Sequence, residues 1–407
     1  MLDNKKNLIA VAIAGAFALP IAAQAQSTVE VYGKLYPEIV NGQLSGATAK
    51  GTVVNTLSAA ATGAADSKLL SMDSPNSRLG FRGTEDLGGG MKAFYQLEMG
   101  LGVDTGANSS TSLLFSRDSF VGVSGGFGSV KLGTMDTVYK TLGDTMSFLG
   151  ISSGNFISAS NILSKPGFGT SSASSFHLRR GNSIIYESPK VAGFQGLFDY
   201  SLGEVTGSSS STSVISGGVK YNAGPLYLAV AYENHKDLFG ASKNVPTAIA
   251  NNTATAITGG PTSTDTAVRF TAQYKVTEAT RVEGNYATIQ YDETGGTAGK
   301  FANYKHNVWS IAGEHKLNNA VTLVGSYGAA AAGTCTLVGT AACSTAGLDG
   351  KMLNLGVGYN FSKRTMLFAL YSNMNNGASA VYNNFGSGSP ATGQDISIFA
   401  AGISHNF

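Results

Sequence analysis

The stretch DISIFAAGISHNF, residues 395–407, closes the chain and decides how the rest is read. Phe399, Ala401, Ile403, His405 and Phe407 fall on one parity of an extended chain, and Gly402, Ser404 and Asn406 on the other. Successive side chains of a strand point to opposite faces, so one face is largely apolar and the other polar or small. A segment of about 10 residues alternating in this way crosses an outer membrane as one strand of a closed barrel. An amphipathic edge strand of a soluble sheet alternates too, but rarely leaves its last aromatic ring at the free carboxylate.

The other end favours the barrel. Lys5 and Lys6 precede an apolar run, residues 8–19, followed by Pro20 and the small residues Ala23-Gln24-Ala25. Charged, apolar and small-residue regions in that order predict a secretory signal peptide, residues 1–25, cleaved between Ala25 and Gln26. The apolar run is too short for a transmembrane helix, and no Cys stands at the cleavage point to carry a lipid. The expected domain organisation is therefore a signal peptide and one barrel domain, residues 26–407.

Composition agrees. With 13% charged residues and 53 Gly in 407, the chain lacks the Ala/Leu/Glu/Lys mixture of helical domains. Tyr, Phe, Val and Thr instead recur in short alternating runs, which is strand composition. Residues 1–25 hold two Lys and one Asp, so the remainder carries a net charge of +1, which excludes a strongly basic nucleic-acid binder. No linker divides the chain. Cys335 and Cys343 share one Gly/Ala/Thr stretch, and in an exported protein a disulfide closing that loop is expected.

Taken in order, STVEVYGKLYPEIV (residues 27–40) places Val29, Val31, Leu35 and Ile39 on one parity. Glu30, Tyr32, Lys34, Tyr36 and Glu38 fall on the other. Residues 41–76 read as a surface loop. SRLGFRGTEDLGGGMKAFYQLEMG (77–100) reads as a hairpin turning at residues 85–90. Five of the six further hairpins then turn at 125–128, 189–193, 222–224, 277–279 and 318–319, and the sixth at 362–363. With the first and last strands the count is 16, and bacterial single-chain barrels have even numbers. Short turns alternate with longer connections near 41–76, 100–114, 136–178, 204–212, 234–265, 293–305, 331–350 and 375–394. That predicts an all-β, antiparallel transmembrane barrel with short periplasmic turns and long external loops.

The stretches VYGKLY, SRLGFRGTEDLGGGMKAFYQLE, RDSFVGVSGGFGSVKLG, NSIIYESPKVAGFQGLFDYSLGE and GISHNF resemble the general porins of Gram-negative outer membranes, of the β-proteobacterial type. The terminal strand likewise resembles the signal by which outer-membrane barrels are recognised for insertion, with Phe399, Ile403 and Phe407 on its apolar face. The resemblance covers nearly all of residues 26–407. It implies a homotrimer of 16-stranded barrels in outer-membrane lipid, inserted by the outer-membrane assembly machinery. Loop 3 is expected to fold into the lumen as a constriction.

Little suggests catalysis. Gly122-Val123-Ser124-Gly125-Gly126 fits the nucleophile elbow G-x-S-x-G, but that motif needs a strand, a turn and a helix, and here a second strand follows. His177, His235, His306, His315 and His405 lack metal-ligand spacing. Trp309 reads as a wall or interfacial aromatic. The expectation is a protein that is not an enzyme and needs no cofactor, metal or energy source.

The informative charges lie on strands. An Arg or Lys facing lipid costs about 2–4 kcal/mol at the midplane, so Lys34, Arg78, Arg82, Lys92 and Lys131 are expected to face the lumen, with Glu30, Glu38 and Glu98 opposing them. The resemblance implies a basic ladder across from loop 3 acids. Lys34, Arg78 and Arg117 match its motif positions, and Arg179 or Arg180 extends it. Arg117 is awkward, because it shares parity with Val121 and Val123. Asp136 and Asp144 are the acids of the loop 3 region, alongside Lys140 and Lys165. The chain departs from the family at Thr134, where Arg often follows Leu-Gly, and it lacks the Pro-Glu-Phe-Gly-Gly turn of enteric relatives. The expected function is a passive pore for small hydrophilic solutes and ions, with mild anion preference. A substrate-specific channel on the same scaffold is the alternative. Gly33, Gly80, Ala400, Ala401 and Ile403 are expected to form the wall-to-wall surface of the trimer.

Overall fold

A computed structural model of the chain describes residues 28–107, 114–143, 145–150, 155–169, 175–203, 212–238, 244–251, 262–339, 342–386 and 388–407. The expected leader and its cleavage point lie outside the described residues. The strand segments are β1 (Thr28–Leu35), β2 (Glu38–Ser45), β3 (Ser67–Asp73), β4 (Arg78–Gly88), β5 (Met91–Gly100), β6 (Ser119–Gly125) and β7 (Gly128–Asp136). They continue as β8 (Arg179–Glu187), β9 (Phe194–Leu202), β10 (Ser213–Ala223), β11 (Leu226–Lys236), β12 (Thr262–Lys275) and β13 (Thr280–Thr294). The last six are β14 (Phe301–Lys316), β15 (Val321–Ala330), β16 (Thr334–Leu337), β17 (Gly350–Asn360), β18 (Thr365–Asn376) and β19 (Asp395–Asn406).

Each segment pairs antiparallel with its neighbour, and β19 returns to β1 and β2, closing the barrel. Three crossings are each built from two segments, β1 with β2, β3 with β4, and β15 with β16, so the closed barrel has 16 strands. The first break is at Pro37, which has no N–H for the ladder; its carbonyl still accepts from Ile403 N at 3.1 Å. The second break faces it, where Ser77 Oγ accepts from Tyr36 N at 2.8 Å.

The wall extends further than its sequence pattern suggests. Residues 41–45 and 67–73, read above as loop, belong to strands β2 and β3, paired from Glu38↔Asp73 to Leu44↔Ser67, and Thr334–Leu337 in the 331–350 connection is the short strand β16 beside β14. The β4–β5 turn is likewise tighter than residues 85–90, with Gly88 directly opposite Met91.

On β19, Phe399, Ala401, Ile403 and Phe407 face outward, while Ile396, Ile398, Ala400 and Ser404 are buried on the lumen side. This corrects part of the expected wall-to-wall surface. Ala400 is buried inside, and a Cβ on Gly80 would meet the lumen-side ring of Tyr32, so neither contributes an outer face. Gly33 does, beneath the ring of Phe407.

The segment between β7 and β8, loop 3, folds into the lumen. It contains α1 (Val138–Gly143), a 3-10 turn (Phe148–Gly150) and α2 (Ser160–Leu163). Its apolar residues Tyr139, Leu142, Phe156, Ile162, Leu163, Phe168 and Phe176 are buried against the inner wall. The wall meets them with a shelf of small residues, Ala229, Ala231, Ala267 and Ala287, all buried. Phe176 stacks on His235 at 4.4 Å, and Phe168 meets Tyr304 edge-on at 5.0 Å. The 375–394 connection also dips inward rather than staying on the surface, burying Ala380, Tyr382 and Phe385 against loop 3 and β2.

Candidate functional site

Loop 3 is held at several points. At the start of α1, Tyr139 N donates to Ser216 Oγ on β10 at 2.8 Å. At its end the last carbonyls have no helical partners, and the wall supplies donors. Tyr227 OH on β11 donates to Leu142 O at 2.8 Å, and Arg269 Nη2 on β12 donates to Gly143 O. Arg269 Nε donates to Asn285 Oδ1 at 3.0 Å, so the buried guanidinium lies flat against Gly143. A Cβ at residue 143 would fall 2.3 Å from Arg269 Nη1. Further along, Asn155 Nδ2 donates to Glu38 Oε1 at 3.1 Å, and Asn354 Nδ2 to Ile157 O at 3.1 Å. Asn384 Nδ2 donates to Phe156 O at 3.0 Å and Lys165 Nζ to Asn383 O at 2.9 Å. Burial pushes the Lys165 ammonium down to about 8.

The predicted basic residues stand on the wall that loop 3 leaves open. Lys34 and Arg78 are directly paired across β1 and β4, and Arg78 Nε lies 3.7 Å from Glu98 Oε2 on β5. Arg117 Nε donates to Glu98 Oε1, and Tyr32 OH donates to Glu98 Oε2 at 3.0 Å. Arg117 precedes β6, which begins at Ser119, so the parity it shares with Val121 and Val123 does not govern it. Arg179 bridges two acids, with Nε 2.6 Å from Asp118 Oδ1 and Nη2 2.8 Å from Asp136 Oδ1. Lys140 Nζ donates to the same Asp136 oxygen at 2.8 Å. The register shift between β7 and β8 lets the next residue, Arg180, face Asp199 and Glu233 instead. Arg82 is nearer the short-turn rim, in a two-point pair with Glu30 at 2.8 Å, its guanidinium over Tyr32 at 4.8 Å. Lys131 pairs with Glu187 at 2.5 Å. Asp144 lies outside the described residues.

The ladder therefore carries its own acids. Glu98, Asp118 and Asp136 sit among its cations rather than across the lumen from them. Two open spaces flank the 3-10 turn. One, of about 310 Å³, has Asp118, Asp136 and Lys140 facing Met146, Phe148 and Glu283. The other, of about 280 Å³, is lined by Lys34, Arg78, Leu149, Glu314, Lys363 and Arg364 at the short-turn end. Sequence reasoning missed Asp118, Arg269, Glu283, Lys363 and Arg364. Arg269 could have been found by parity, since Ala267 and Thr271 on the same face are buried inside. Lys363 reads only as a turn residue and Arg364 only as the start of the next strand.

Cys335 and Cys343 are joined by a disulfide in the 331–350 connection. Ser124 of the G-x-S-x-G stretch pairs with Ser129 at the mouth of the β6–β7 hairpin, with no helix after it. His306 is buried in the lumen while His315, nine residues on along β14, is exposed. Trp309 faces outward beside Tyr327, with ring centres 5.8 Å apart.

Comparison with known proteins completes the picture. The profile of the Gram-negative porin family matches residues 10–379. The outer membrane porin protein 32 of Delftia acidovorans is 35% identical over 242 residues, 58% of this chain and 61% of the relative. The major outer membrane protein P.IB of Neisseria meningitidis serogroup A is 31% identical over 245 residues, with the same 58% and 61% coverage. The matched region thus spans about three fifths of each relative's length. Among solved structures, the anion-selective porin from Comamonas acidovorans superposes with a TM-score of 0.67 at 22% identity, covering 94% of this chain and all of that one. OmpT of Vibrio cholerae in its trimer form gives 0.62 at 17% identity, covering 94% and 99%. At such identities these likenesses speak for the fold alone.

Proposed function

The chain belongs to the Gram-negative porin family of the outer membrane, and from that premise we propose that it forms a passive, water-filled diffusion pore for small hydrophilic solutes and ions. The observation that carries this reading is the pair of open spaces on either side of the loop 3 turn, bordered by the charged wall. Loop 3 is fixed at both ends and along its length, so the width it leaves is set by packing. Exclusion by size follows from that. No catalytic step and no cofactor enter this function. Residues 1–25 serve export, residues 26–407 make the single barrel, and the terminal strand with Phe399, Ile403 and Phe407 is what the outer-membrane assembly machinery reads.

The reading includes mild anion preference. Arg82, Arg117 and Arg179 have carboxylate partners on their own wall, which weakens a field directed across the lumen. The short-turn chamber gathers Lys34, Arg78, Lys363 and Arg364 in one lining with Glu314. Charges in a passage of about a Debye length, 8–10 Å at physiological salt, are only partly screened, so they raise the local anion concentration. The assembly is a homotrimer, with Gly33, Ala401 and Ile403 on its outward wall, and cross-linking in native membranes that gives monomer alone overturns that part.

Single-channel recording in planar bilayers tests the function. Discrete, ohmic steps with a chloride-favouring reversal potential in a KCl gradient are expected. Absence of any conductance from the folded barrel overturns the reading.

A further inference from the structure

The outer wall of the barrel is hollowed across β12 to β15. Its floor is Ala272, Gly284, Gly313 and Gly325, with Ala272 opposite Gly284 and Gly313 opposite Gly325 on paired strands. A Cβ on Gly284 would meet nothing within 4 Å, and one on Gly313 only a backbone oxygen at 3.9 Å. The flanks are high, with Tyr274, Tyr286, Trp309 and Leu355 standing outward, each 40–50% exposed. Two spaces of about 600 and 730 Å³ share Ala272, Gly284 and Ile311, so the hollow is one continuous trough. These strands stand apart from the seam of β1 and β19. At the short-turn end, Thr280 lies directly opposite His315, with Thr280 Oγ1 2.8 Å from His315 Nδ1. Both share the outward parity of Val282 and Gly313. In the adjoining turn Lys275 pairs with Glu278 at 2.9 Å, and Lys316 acts on the same carboxylate.

We propose that this trough is a discrete binding site for one phospholipid of the short-turn leaflet, with an acyl chain along the floor and the phosphate at the Thr280–His315 pair. The inference goes beyond the pore reading, since it concerns the outer face and needs no conduction. The depths agree. Trp309 and His315 lie on the same outward face of β14, and the strand between them spans about 20 Å at about 3.4 Å per residue. At a tilt of about 40° that is about 15 Å along the membrane normal, against about 12 Å for half of the apolar band. A chain anchored at the pair therefore runs up to the indole. When the Thr280 hydroxyl donates to Nδ1, the ring proton of His315 sits on Nε2, a donor for a phosphate oxygen. Lys275 and Lys316 beside the acid Glu278 suit an anionic headgroup, and the short-turn leaflet of an outer membrane is the phospholipid one. A flat wall touches a chain on one side, whereas this trough touches it on three, and dispersion contacts sum.

Trp309 is the one Trp of the chain and lines the upper end of the trough, so it reports occupancy. The test titrates the whole barrel, folded in detergent, with phosphatidylglycerol brominated on its acyl chains, which quenches indole fluorescence on contact. The protein is expected to quench saturably at a low mole fraction of lipid. The variant G284L/G313L fills the trough where a Cβ has room, and should need about tenfold more lipid for the same quenching. T280V/H315A should weaken quenching by the phospholipid and leave unchanged that by brominated diacylglycerol, which lacks the phosphate. Native mass spectrometry should show one phosphatidylglycerol retained per barrel and lost from G284L/G313L. Quenching that grows in proportion to lipid without saturating, or equal retention by the two proteins, overturns the site. Equal quenching by phospholipid and diacylglycerol overturns the phosphate contact, and with it the assignment to phospholipid. Preferential retention of lipopolysaccharide when both are offered, or barrels paired through this wall without lipid, also overturns it. All variants are expected to conduct as the unaltered barrel does, and a barrel that retains the lipid but conducts nothing counts against the pore reading alone.

Discussion

The ring of Phe407 occupies the space a Cβ on Gly33 would take, 2.3 Å from that position, and two backbone bonds of 3.1 Å join the same two residues. The barrel is closed at this rim by the final residue against a glycine of the first strand. The ring also gives β19 its last outward apolar contact, which ties the closure of the sheet to the lipid face.

Phe407→Asp is therefore expected to leave export intact and to prevent insertion, since a charge replaces the aromatic at the seam. Membrane fractionation and heat-modifiable migration of the barrel check this. Normal outer-membrane levels of the variant would remove the recognition role.

Ion selectivity is expected to follow the cations that line the short-turn chamber. Lys34→Ala and Arg78→Ala should each lower the chloride-to-potassium permeability ratio at 0.1 M salt, with the effect fading toward 1 M, where the Debye length falls to about 3 Å. Reversal potentials across a KCl gradient decide it. A cation-selective pore that neither substitution alters would make these charges structural.

The clamp on α1 predicts a wider, noisier pore when broken. Arg269→Met keeps the length of the side chain but loses its bonds to Gly143 O and Asn285 Oδ1, at a cost of about 1.5–3 kcal/mol. Gly143→Ala should act in the same direction by displacing the guanidinium. Single-channel conductance and trypsin cleavage of loop 3 should both rise. Unchanged conductance in both variants would show that the remaining contacts suffice.

Lys165 predicts a pH dependence. Its folded-state value of about 8 lies below the ordinary 10.5, so folding around the ammonium is unfavourable at neutral pH. Between those values the unfolded chain binds more protons than the folded one, and stability rises with pH across that window. Thermal unfolding in detergent should climb from pH 8 to 10, and Lys165→Met should flatten that slope. Identical slopes for the two proteins would remove Lys165 as the cause.

Much of the barrel was legible because a membrane wall repeats one simple rule. Alternation marked the hairpins from β4 to β15 and the strands β17 to β19, and loop lengths marked the two rims, but β16 lay in a stretch read as loop. It failed at residues 41–45 and 67–73, where Asn41 and Gln43 fall on the parity of Ile39 and Lys68 on that of Leu70 and Met72, so that no apolar face stands out. Arg117 misled because parity means nothing two residues outside a strand that begins at Ser119. The loop 3 anchors were out of reach, since Ser216, Tyr227 and Arg269 are joined to α1 only by the closed fold. The cations of the short-turn chamber were hidden likewise, because Lys363 and Arg364 are remote in sequence from Lys34 and Arg78.

The packing of loop 3 bears on the order in which the molecule is assembled. Tyr139, Leu142 and Phe176 are buried on strands from the middle of the chain, whereas the seam joins its first and last strands. Contacts between distant parts of a sequence form late, because they close the largest loops of chain. Loop 3 would thus seat on the nascent sheet and expel water from its apolar side before the seam shuts, when the lumen is still an open trough. A passage built to hold water is in this way cast around a dry lining, and an unseated loop 3 would be trapped once the last strand has joined the first.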